Sequence, residues 1–455
     1  MHQIIIKKND DNVFLFFLKD EFIGKMDSTQ MFLFYITYKI KTSDNKEAIE
    51  KYYEVLNLLS NSSENSVQSI VEKLNDKFSF LIKFNNIDLG NINIINLFEN
   101  TKEKIFIDRV KNFVPKKIVI SLTNKCFCKC NYCYSKKATD ICPNSELKFS
   151  TIKTILQYVF FWGISEIDLT GGDPLAYTNF FDVLEICKNY NIKVNLSTKK
   201  VLSDSEINNL MLYSEQISSF QMSIDSIYED EQLKLVNVNY THDILNSLKK
   251  LIDKCANKFE IKVNSVLTKY NIDNILELST ILFGMGNIKH GLSPYTLNLS
   301  SNNTEFFPSV EQYDNLRKKI EHFENKQKLI YPISLFNNFS DFNTVICKAG
   351  IDGLVINNDG NVYVCERLCS NEQFSLGNVY VNTLYDIWNS DRLFDFSFPN
   401  KNLFKNSKCY NCDYFDKCVR ERGLCFVNSY IINKTIYSPD NFCKYTDIIN
   451  TFRIY

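Results

Sequence analysis

The distribution of cysteine is the feature of this sequence that most limits what the chain can be. The 455 residues include 15 cysteines, and none of them precedes residue 126. An odd number of thiols cannot pair completely within one chain, and the N-terminus lacks the pattern of a secretory signal. Reduced thiols in a chain of this kind more often serve metal or redox chemistry than disulfides. Four cysteines fall within eight residues and eight lie near the C-terminus, at Cys126, Cys128, Cys130, Cys133, Cys347, Cys365, Cys369, Cys409, Cys412, Cys418, Cys425 and Cys443.

Charge and hydropathy exclude two classes of partner. Lys and Arg number 52 against 53 Asp and Glu, so the net charge of −1 offers no basic face for nucleic acid. The longest apolar runs are far shorter than the roughly 20 residues of a membrane-spanning helix. We therefore expect a cytoplasmic protein without a nucleic-acid or membrane partner. At about 150 residues per domain, the length suggests about three domains.

The first region, residues 1–105, predicts a small α+β module that is winged-helix-like. Strand-like runs occur around Asn12–Leu18 and Met31–Tyr38, and a helical run covers Asn45–Leu59. A second helix is predicted at Ser66–Phe78, where apolar residues follow the 3.6-residue period and Ser66 can cap the start. An irregular α+β extension without a binding role is the alternative.

The middle region, residues 112–300, alternates strand-like and helical patterns. This alternation predicts parallel strands with right-handed crossovers, and six such units make a partial or closed α/β barrel. Chemistry in such barrels lies where the strands end. Residues 301–345 read as a linker and 346–455 as a cysteine-rich domain. The predicted strands are Ile118–Leu122, Glu166–Leu169, Lys193–Leu196, Phe220–Ile224, Glu260–Leu267 and Leu292–Leu297, with helices at His242–Cys255 and Asp273–Phe283.

A cysteine loop follows the first of these strands directly. Cys126, Cys130 and Cys133 have the spacing C-x3-C-x2-C, and three thiolates can wrap one face of a four-iron cubane and leave one iron open. A structural zinc would want four closed ligands. Cys128 could supply a fourth thiolate, but it lies only two residues from both Cys126 and Cys130, which makes joint ligation sterically awkward. A zinc loop or a set of reactive thiols is the alternative.

Polar motifs stand at the ends of the next three strands, on the same rim as the cysteine loop. Gly171-Gly172-Asp173-Pro174 follows the second strand, Ser197 ends the third, and Ser223 and Asp225 end the fourth. Glycines let backbone approach a ligand closely, and a carboxylate can receive an ammonium group. Together with the cysteine loop, these motifs predict a cofactor site at the carboxyl ends of the strands.

Because these motifs follow consecutive predicted strands, residues 112–300 resemble the radical S-adenosylmethionine (SAM) superfamily. The resemblance implies a partial (β/α)6 TIM-like barrel that cleaves SAM reductively and abstracts a hydrogen atom from a substrate. It also implies a low-potential electron donor of the flavodoxin or ferredoxin type. The open iron of a [4Fe-4S] cluster on Cys126, Cys130 and Cys133 would bind SAM. Gly171, Gly172 and Asp173 match the family's Gly-Gly-Glu-Pro motif with Asp in place of Glu, and Ser197, Ser223 and Asp225 match other SAM-binding positions.

The C-terminal cysteines resemble a SPASM domain, the extension that carries two auxiliary [4Fe-4S] clusters. The spacing is C-x12-G-x4-C, then C-x2-C-x5-C-x6-C, then C, with x6 where the family has x3. Asn358-Asp-Gly360 predicts a hairpin turn before Cys365. The resemblance implies that Cys347, Cys365 and Cys425 hold a first cluster, which Cys369 or a substrate thiolate would complete. Cys409, Cys412, Cys418 and Cys443 would hold a second, and Cys142, Cys187 and Cys255 are predicted to be buried apolar residues.

SPASM-bearing radical SAM enzymes largely modify peptides and proteins. This chain is similar to their peptide maturases in length and in having an N-terminal segment, which implies that residues 1–105 recognise a precursor peptide by taking it up as an extra strand. The leading hypothesis is a maturase that forms thioether crosslinks in a ribosomally made peptide. Carbon–carbon crosslinking, or oxidation of a protein Ser or Cys as in sulfatase maturation, is the alternative among enzymes. A zinc-binding module without catalysis is the alternative of another class.

Overall fold

The N-terminal module is a four-stranded sheet covered by helices. The computed structural model describes residues 3–8, 13–59, 67–84, 87–89, 92, 97, 109–133, 135, 144–297, 299, 304–332, 347–369, 371–440 and 443. Cys142, and the predicted first residues Asn12 and Ser66, lie outside these ranges. The module's strands are β1 Ile4–Lys8, β2 Phe14–Leu18, β3 Glu21–Met26 and β4 Ile87–Asp88. They lie in the order β3-β2-β1-β4, with β1 antiparallel to β2 and parallel to β4.

The predicted strand at Met31–Tyr38 is wrong, because this segment lies inside a helix, Ser28–Thr42. Asp27 caps its start: the carboxylate accepts the backbone N–H of Gln30 at 2.7 Å, and the Gln30 side chain returns to the Asp27 N–H. The helix is buried around most of its circumference, including Phe32 and Leu33. Such a helix has an unbroken apolar run rather than a 3.6-residue period, so the run resembled a buried strand.

The middle region forms one side of a ten-stranded sheet, and its six predicted strands are all present. Strands β5 to β10 run parallel in chain order, and the sheet does not close into a full barrel. The predicted partial (β/α)6 barrel is therefore confirmed. The strands are β5 Lys117–Ser121, β6 Glu166–Thr170, β7 Lys193–Thr198, β8 Ile217–Ser223, β9 Glu260–Leu267, β10 Lys289–Pro294 and the short β11 Leu329–Ile330.

Helices cover the outer face of this sheet with amphipathic surfaces. The helix at Thr241–Cys255 buries Ile244, Leu248, Leu251 and Cys255 at helical spacing, within one residue of the predicted bounds. Cys255 and Cys187 are fully buried, as predicted. The longer helices of the chain are Ser28–Thr42, Lys46–Leu59, Val67–Lys77, Phe149–Trp162, Phe180–Asn189, Asp204–Leu212, Glu229–Val236, Thr241–Cys255, Ile275–Met285, Val310–Glu321 and Phe426–Asn433, and the short ones are Ser79–Ile82, Leu384–Trp388 and Asp391–Ser397.

The C-terminal region extends the same sheet. Strand β12 Gly353–Ile356 pairs in parallel with β5, and β13 Asn361–Tyr363 returns antiparallel to it, so the hairpin predicted around Gly360 is confirmed. Strand β14 Gly377–Asn378 follows at the edge. The indole N–H of Trp388 donates to Asn112 O at 3.1 Å and Phe113 O at 3.0 Å, which ties the C-terminal region to the segment before β5. Within the residues described, no helix is long and apolar enough to cross a membrane.

Candidate radical SAM site

A cleft of about 1100 Å³ opens at the carboxyl ends of the parallel strands. Its wall includes the cysteine loop and the three polar motifs, so the structure brings the sequence-predicted residues together at one site. Inward-facing polar side chains of the barrel continue the wall, and Glu366 of the C-terminal region completes it. The predicted residues that line this cleft are Cys126, Cys130, Cys133, Gly171, Gly172, Asp173, Ser197, Ser223 and Asp225.

The two glycines after β6 allow the rim to pack directly against the start of the cysteine loop. Gly172 N donates to Thr123 O at 2.6 Å, and Asp173 N donates to Lys125 O at 2.8 Å. A Cβ at Gly171 would lie 2.5 Å from Thr123 O, and one at Gly172 would lie 2.4 Å from Lys125 O. The absence of side chains here thus serves the contact between two backbone segments, as well as any approach to a ligand.

The Asp173 carboxylate faces protein donors. Its Oδ2 accepts from Thr198 Oγ1 at 2.6 Å and Lys199 N at 3.1 Å, and its Oδ1 accepts from Leu175 N at 3.1 Å. Burial raises the pKa of Asp173 to about 6, although these hydrogen bonds oppose the shift. The side chain therefore links the rims of β6 and β7, and the backbone of residues 171–173 is left to face the cleft.

Cys128 lines the same cleft as the other three thiols of the loop, but it has a hydrogen-bond partner in the protein. Its thiol is buried, donates to the Tyr240 hydroxyl at 3.3 Å and lies 4.0 Å from Lys199 O. Cys126 is exposed, and Cys130 and Cys133 also border the cleft. That Cys128 is not a fourth ligand of the same cluster stays a prediction, and its bond to Tyr240 gives the thiol another partner.

A buried ion pair beneath the loop was not foreseen from the sequence. Lys199 Nζ lies 2.5 Å from Asp225 Oδ2, and the same carboxylate oxygen accepts from the Tyr132 hydroxyl. Asp225 Oδ1 accepts from Val266 N at 3.0 Å. Burial alone would lower the pKa of Lys199, but the Asp225 carboxylate and the Cys130 thiol together raise it. Tyr132 precedes Cys133 directly, so this network fixes the cysteine loop to the ends of β7 and β8.

Two sequence signals could have located this network. Lys199 follows Ser197-Thr198 directly at a strand end, and Tyr132 is the aromatic residue before the last loop cysteine. Each lies next to a residue that was identified. Only the structure shows that Asp225 joins them rather than facing the cleft alone.

Replacement of Asp225 by asparagine is expected to destabilise the protein strongly, because Lys199 would remain buried without its counter-charge. Breaking a buried pair in this way costs about 3–5 kcal/mol. Anaerobic urea unfolding followed by circular dichroism would measure the loss. Asp314→Asn, which breaks the more exposed pair with Arg317, is the matched control and should cost about 0.5 kcal/mol or less. Equal losses in the two variants would contradict a structural role for the Asp225 pair.

The thiols of the C-terminal region form two groups whose members interact electrostatically. Negative charge on Cys347 raises the pKa of both Cys365 and Cys425, and negative charge on Cys443 raises the pKa of both Cys409 and Cys418. The thiol of Cys369 points back to Cys365 O at 3.8 Å. The grouping matches the sets predicted for two auxiliary clusters, and Cys369 lies beside the first set.

The chemistry of these donors fits iron–sulfur clusters. The fourteen described cysteines form no disulfide with one another. Burial raises the pKa of Cys126 to about 12, and burial likewise raises those of Cys365 to about 11 and Cys418 to about 12. Binding of these thiols to iron would require the loss of their protons. Among the described residues, no group of three His, Cys, Asp or Glu is gathered to hold one ion. A cubane places its thiolates on separate irons, so it does not need ligands as closely gathered as those of a single ion.

The fold and the site together define an α/β partial-barrel protein with a cysteine loop at the strand ends and a cysteine-rich C-terminal domain. Comparisons with known proteins place both parts in families. Residues 120–280 match the radical SAM superfamily, and residues 347–413 match SPASM, an iron–sulfur cluster-binding domain. The chain therefore contains a radical SAM domain followed by a SPASM domain. The cofactors of these domains are a SAM-bound [4Fe-4S] cluster and auxiliary clusters.

Solved structures of similar fold are known. SuiB of Streptococcus suis has a TM-score of 0.59 at 18% identity, over 97% of this chain and 98% of SuiB, and it has also been crystallised with its precursor peptide SuiA. The enzyme anSMEcpe with bound AdoMet and the Kp18Cys peptide has a TM-score of 0.53 at 16% identity, over 72% of this chain and 94% of that one. At these identities the similarity establishes a shared fold.

Similarity to curated sequences covers a smaller part of the chain. A GTP 3′,8-cyclase of Clostridium perfringens (strain SM101 / Type A) is 28% identical over 173 residues, which are 36% of this chain and 50% of the cyclase. The chain thus spans about half the length of the first curated relatives that it matches. This similarity is consistent with the radical SAM domain and does not identify a substrate.

Proposed function

We propose that this radical SAM enzyme is a maturase of a ribosomally made precursor peptide and joins a Cys sulfur of that peptide to a carbon in a thioether crosslink. One observation carries the proposal: the cleft that holds the cysteine loop is also lined by Glu366, which follows Cys365 of the first auxiliary set. A peptide segment in the cleft would lie between the SAM site and that set. The cleft volume of about 1100 Å³ slightly exceeds the roughly 300–1,000 Å³ of small-molecule sites.

The wall of the cleft suits a peptide backbone. Asn195 Nδ2 donates to Asp168 Oδ1 at 2.9 Å, and Ser219 Oγ donates to Asn195 Oδ1 at 2.6 Å. Lys117 Nζ lies 3.0 Å from Asp168 Oδ2. Peptide amides that leave water need hydrogen-bond partners, and this polar ladder offers them. An apolar barrel interior would leave such amides unpaired.

In this proposal each residue of the rim has a defined role. Cys126, Cys130 and Cys133 hold the cluster, and the backbone of 171–173 with the Ser197 and Ser223 hydroxyls holds SAM. When bound, the cluster and SAM supply a radical that removes a hydrogen atom from a substrate C–H bond. Ser197 Oγ accepts from Gln221 Nε2 at 3.0 Å, which leaves its own proton for donation. Asp173 and Asp225 act by fixing the rim and the loop.

The atoms and electrons of the proposed crosslinking step balance as follows. The peptide C–H and S–H bonds break and an S–C bond forms. One hydrogen atom leaves with the adenosyl fragment, the thiol proton goes to solvent, and one electron passes to an auxiliary cluster. A flavodoxin- or ferredoxin-type donor would reduce the SAM cluster. Residues 1–105 would recognise the precursor by strand addition. The edge strand β3 of that module contacts the C-terminal region, because Lys25 N in β3 donates to Asn389 Oδ1 at 3.1 Å.

Anaerobic incubation with SAM, dithionite and a Cys-containing peptide encoded beside the gene tests the proposal. We expect the peptide to lose 2 Da per bridge and to show one thiol fewer towards iodoacetamide. A 2 Da loss with every thiol still alkylated would instead indicate carbon–carbon crosslinking. A product that reacts with an aldehyde probe would indicate oxidation of Ser or Cys.

The metal content separates these enzymatic outcomes from a zinc module. Three four-iron clusters predict about twelve irons per chain and a brown protein. A colourless protein with zinc in place of iron would contradict every radical mechanism considered above.

A further inference from the structure

Two arginines, the buried Arg109 and the half-buried Arg367, border the first auxiliary cysteine set. Arg109 is 6% exposed; its Nη1 donates to Cys347 O, and its Nη2 donates to Ser397 O at 2.9 Å and Val419 O at 3.4 Å. The first partner is the backbone of a cysteine of the set. The guanidinium thus lies against the segment that carries Cys347.

Arg367 lies beside two other cysteines of the set, Cys365 and Cys425. It follows Cys365 by two residues, and its Nη2 donates to Leu297 O and to Asn428 Oδ1 at 2.9 Å. Asn428 belongs to the helix that begins after Cys425. Burial raises the pKa of Cys425 to about 12, and the charge of Arg367 opposes that shift, as it does at Cys365.

Every hydrogen bond described for these two guanidiniums ends on a neutral oxygen. The Nε atoms of Arg109 and Arg367 are buried and have no hydrogen-bond partner in the part of the chain described. A cation removed from water is costly unless a negative group neutralises it. Arg109 interacts electrostatically with the Cys347 thiol and, more weakly, with the Asp352 carboxylate, and the charge of Arg367 acts on the thiols of Cys365 and Cys425.

A third arginine of the region, Arg422, forms a direct ion pair with a carboxylate. Arg422 Nη2 lies 3.0 Å and 3.1 Å from the two carboxylate oxygens of Asp440, and the two side chains are 4% and 1% exposed. Negative charge on Cys418 and Cys425 also raises the pKa of Arg422. Because Asp440 neutralises it, Arg422 brings little net charge to the second set.

We propose that Arg109 and Arg367 are the counter-ions of the first auxiliary cluster and raise its reduction potential above that of the second. Net charge and hydrogen bonds near the sulfurs set the potential of such clusters. The inference rests on the proposed ligand sets. The first set borders the cleft through Glu366, so its cluster is the acceptor for the electron released when the peptide bridge forms. The cations make that transfer favourable.

Anaerobic redox titration followed by electron paramagnetic resonance tests this inference without any peptide. Arg367→Gln removes the charge, and Asn428→Asp neutralises it in place with a side chain of the same shape. In both variants we expect one auxiliary signal to become harder to reduce, by about tenfold in its equilibrium constant, which is ~59 mV for one electron. The SAM cluster and the other auxiliary signal should keep their potentials. Cys412→Ala, which removes a ligand of the second set, assigns the two auxiliary signals.

Two controls complete the design. Arg367→Lys retains the charge and should retain most of the potential, and Arg317→Gln removes a distant surface charge and should change nothing. Unchanged potentials in Arg367→Gln and Asn428→Asp, at full iron content, would overturn the counter-ion role and leave the proposed function intact. Loss of the first cluster in these two variants but not in Arg367→Lys would support it. Absence of iron from the wild-type protein would contradict the proposed function itself.

Discussion

Cys130→Ala is expected to abolish SAM cleavage, whereas Cys128→Ala two residues away is expected to preserve it. Cys130 lines the cleft together with Cys126 and Cys133, and each of these three thiols is proposed to hold a separate iron. Cys128 also lines the cleft, but its thiol donates to the Tyr240 hydroxyl at 3.3 Å. Loss of one of the three predicted ligands is expected to prevent cluster assembly, and we expect that Cys128 does not replace Cys130.

Two measurements check this pair of variants. Iron analysis should show about four irons fewer per chain in Cys130→Ala and an unchanged content in Cys128→Ala. Formation of 5′-deoxyadenosine from SAM and dithionite should fall to the level of a no-enzyme blank in the first variant only. Cys128→Ala should lose about 1 kcal/mol of stability with its hydrogen bond to Tyr240. If Cys128→Ala lost the cluster and Cys130→Ala kept it, the proposed ligand assignment would be wrong.

The sequence predicted the sheet well where its signals are local. Strands β5 to β9 are short segments with regularly placed apolar residues, and the intervening helices carry a 3.6-residue period. The weaker run at Leu292–Leu297 shares only residues 292–294 with β10. The parallel order then follows from the preference for right-handed crossovers. The segment at Met31–Tyr38 failed because burial on nearly all sides removes that period.

Contacts between distant parts of the chain could not be predicted in the same way. Strand β12 lies beside β5, although more than 200 residues separate them, and Gly353 is needed there because a Cβ would lie 2.2 Å from Lys117 O. Arg109 reaches Cys347 over a similar separation. Such contacts depend on the packed fold and leave no periodic pattern in the sequence.

For the site, too, local motifs could be predicted from the sequence and long-range contacts could not. The cysteine spacing and the Gly-Gly-Asp-Pro motif placed the cleft correctly, because parallel strands bring their carboxyl ends to one edge. The partners of Asp173 and Asp225 were not foreseen. In the sequence, an aspartate that binds a ligand at the end of a strand looks the same as one that accepts hydrogen bonds from the protein. Only the positions of Thr198 and Lys199 show that both carboxylates have protein donors.

Gly172→Ala is expected to impair the enzyme nearly as severely as loss of a cluster ligand, although it adds only one methyl group. That methyl would lie 2.4 Å from Lys125 O and 2.6 Å from Asn124 O. Both are backbone atoms of the segment that leads into Cys126, so relief of the clash must move the cysteine loop or the rim. Overpacking of this kind costs about 1–3 kcal/mol, and a shift of about 1 Å between reacting groups lowers rates by roughly a hundredfold.

The chain provides a matched control for that change in Gly284, where an added Cβ meets nothing within 4 Å. Gly284 lies in the helix Ile275–Met285, so Gly284→Ala should gain up to about 1 kcal/mol from helix propensity and leave catalysis unchanged. For Gly172→Ala we expect SAM cleavage to fall by about a hundredfold, with weaker SAM binding by equilibrium dialysis. If Gly172→Ala cleaved SAM as fast as Gly284→Ala, the close backbone contact between the rim and the cysteine loop would be unnecessary for the reaction. The glycine would then serve the fold alone, because the loop would hold its cluster without the support of the β6 rim.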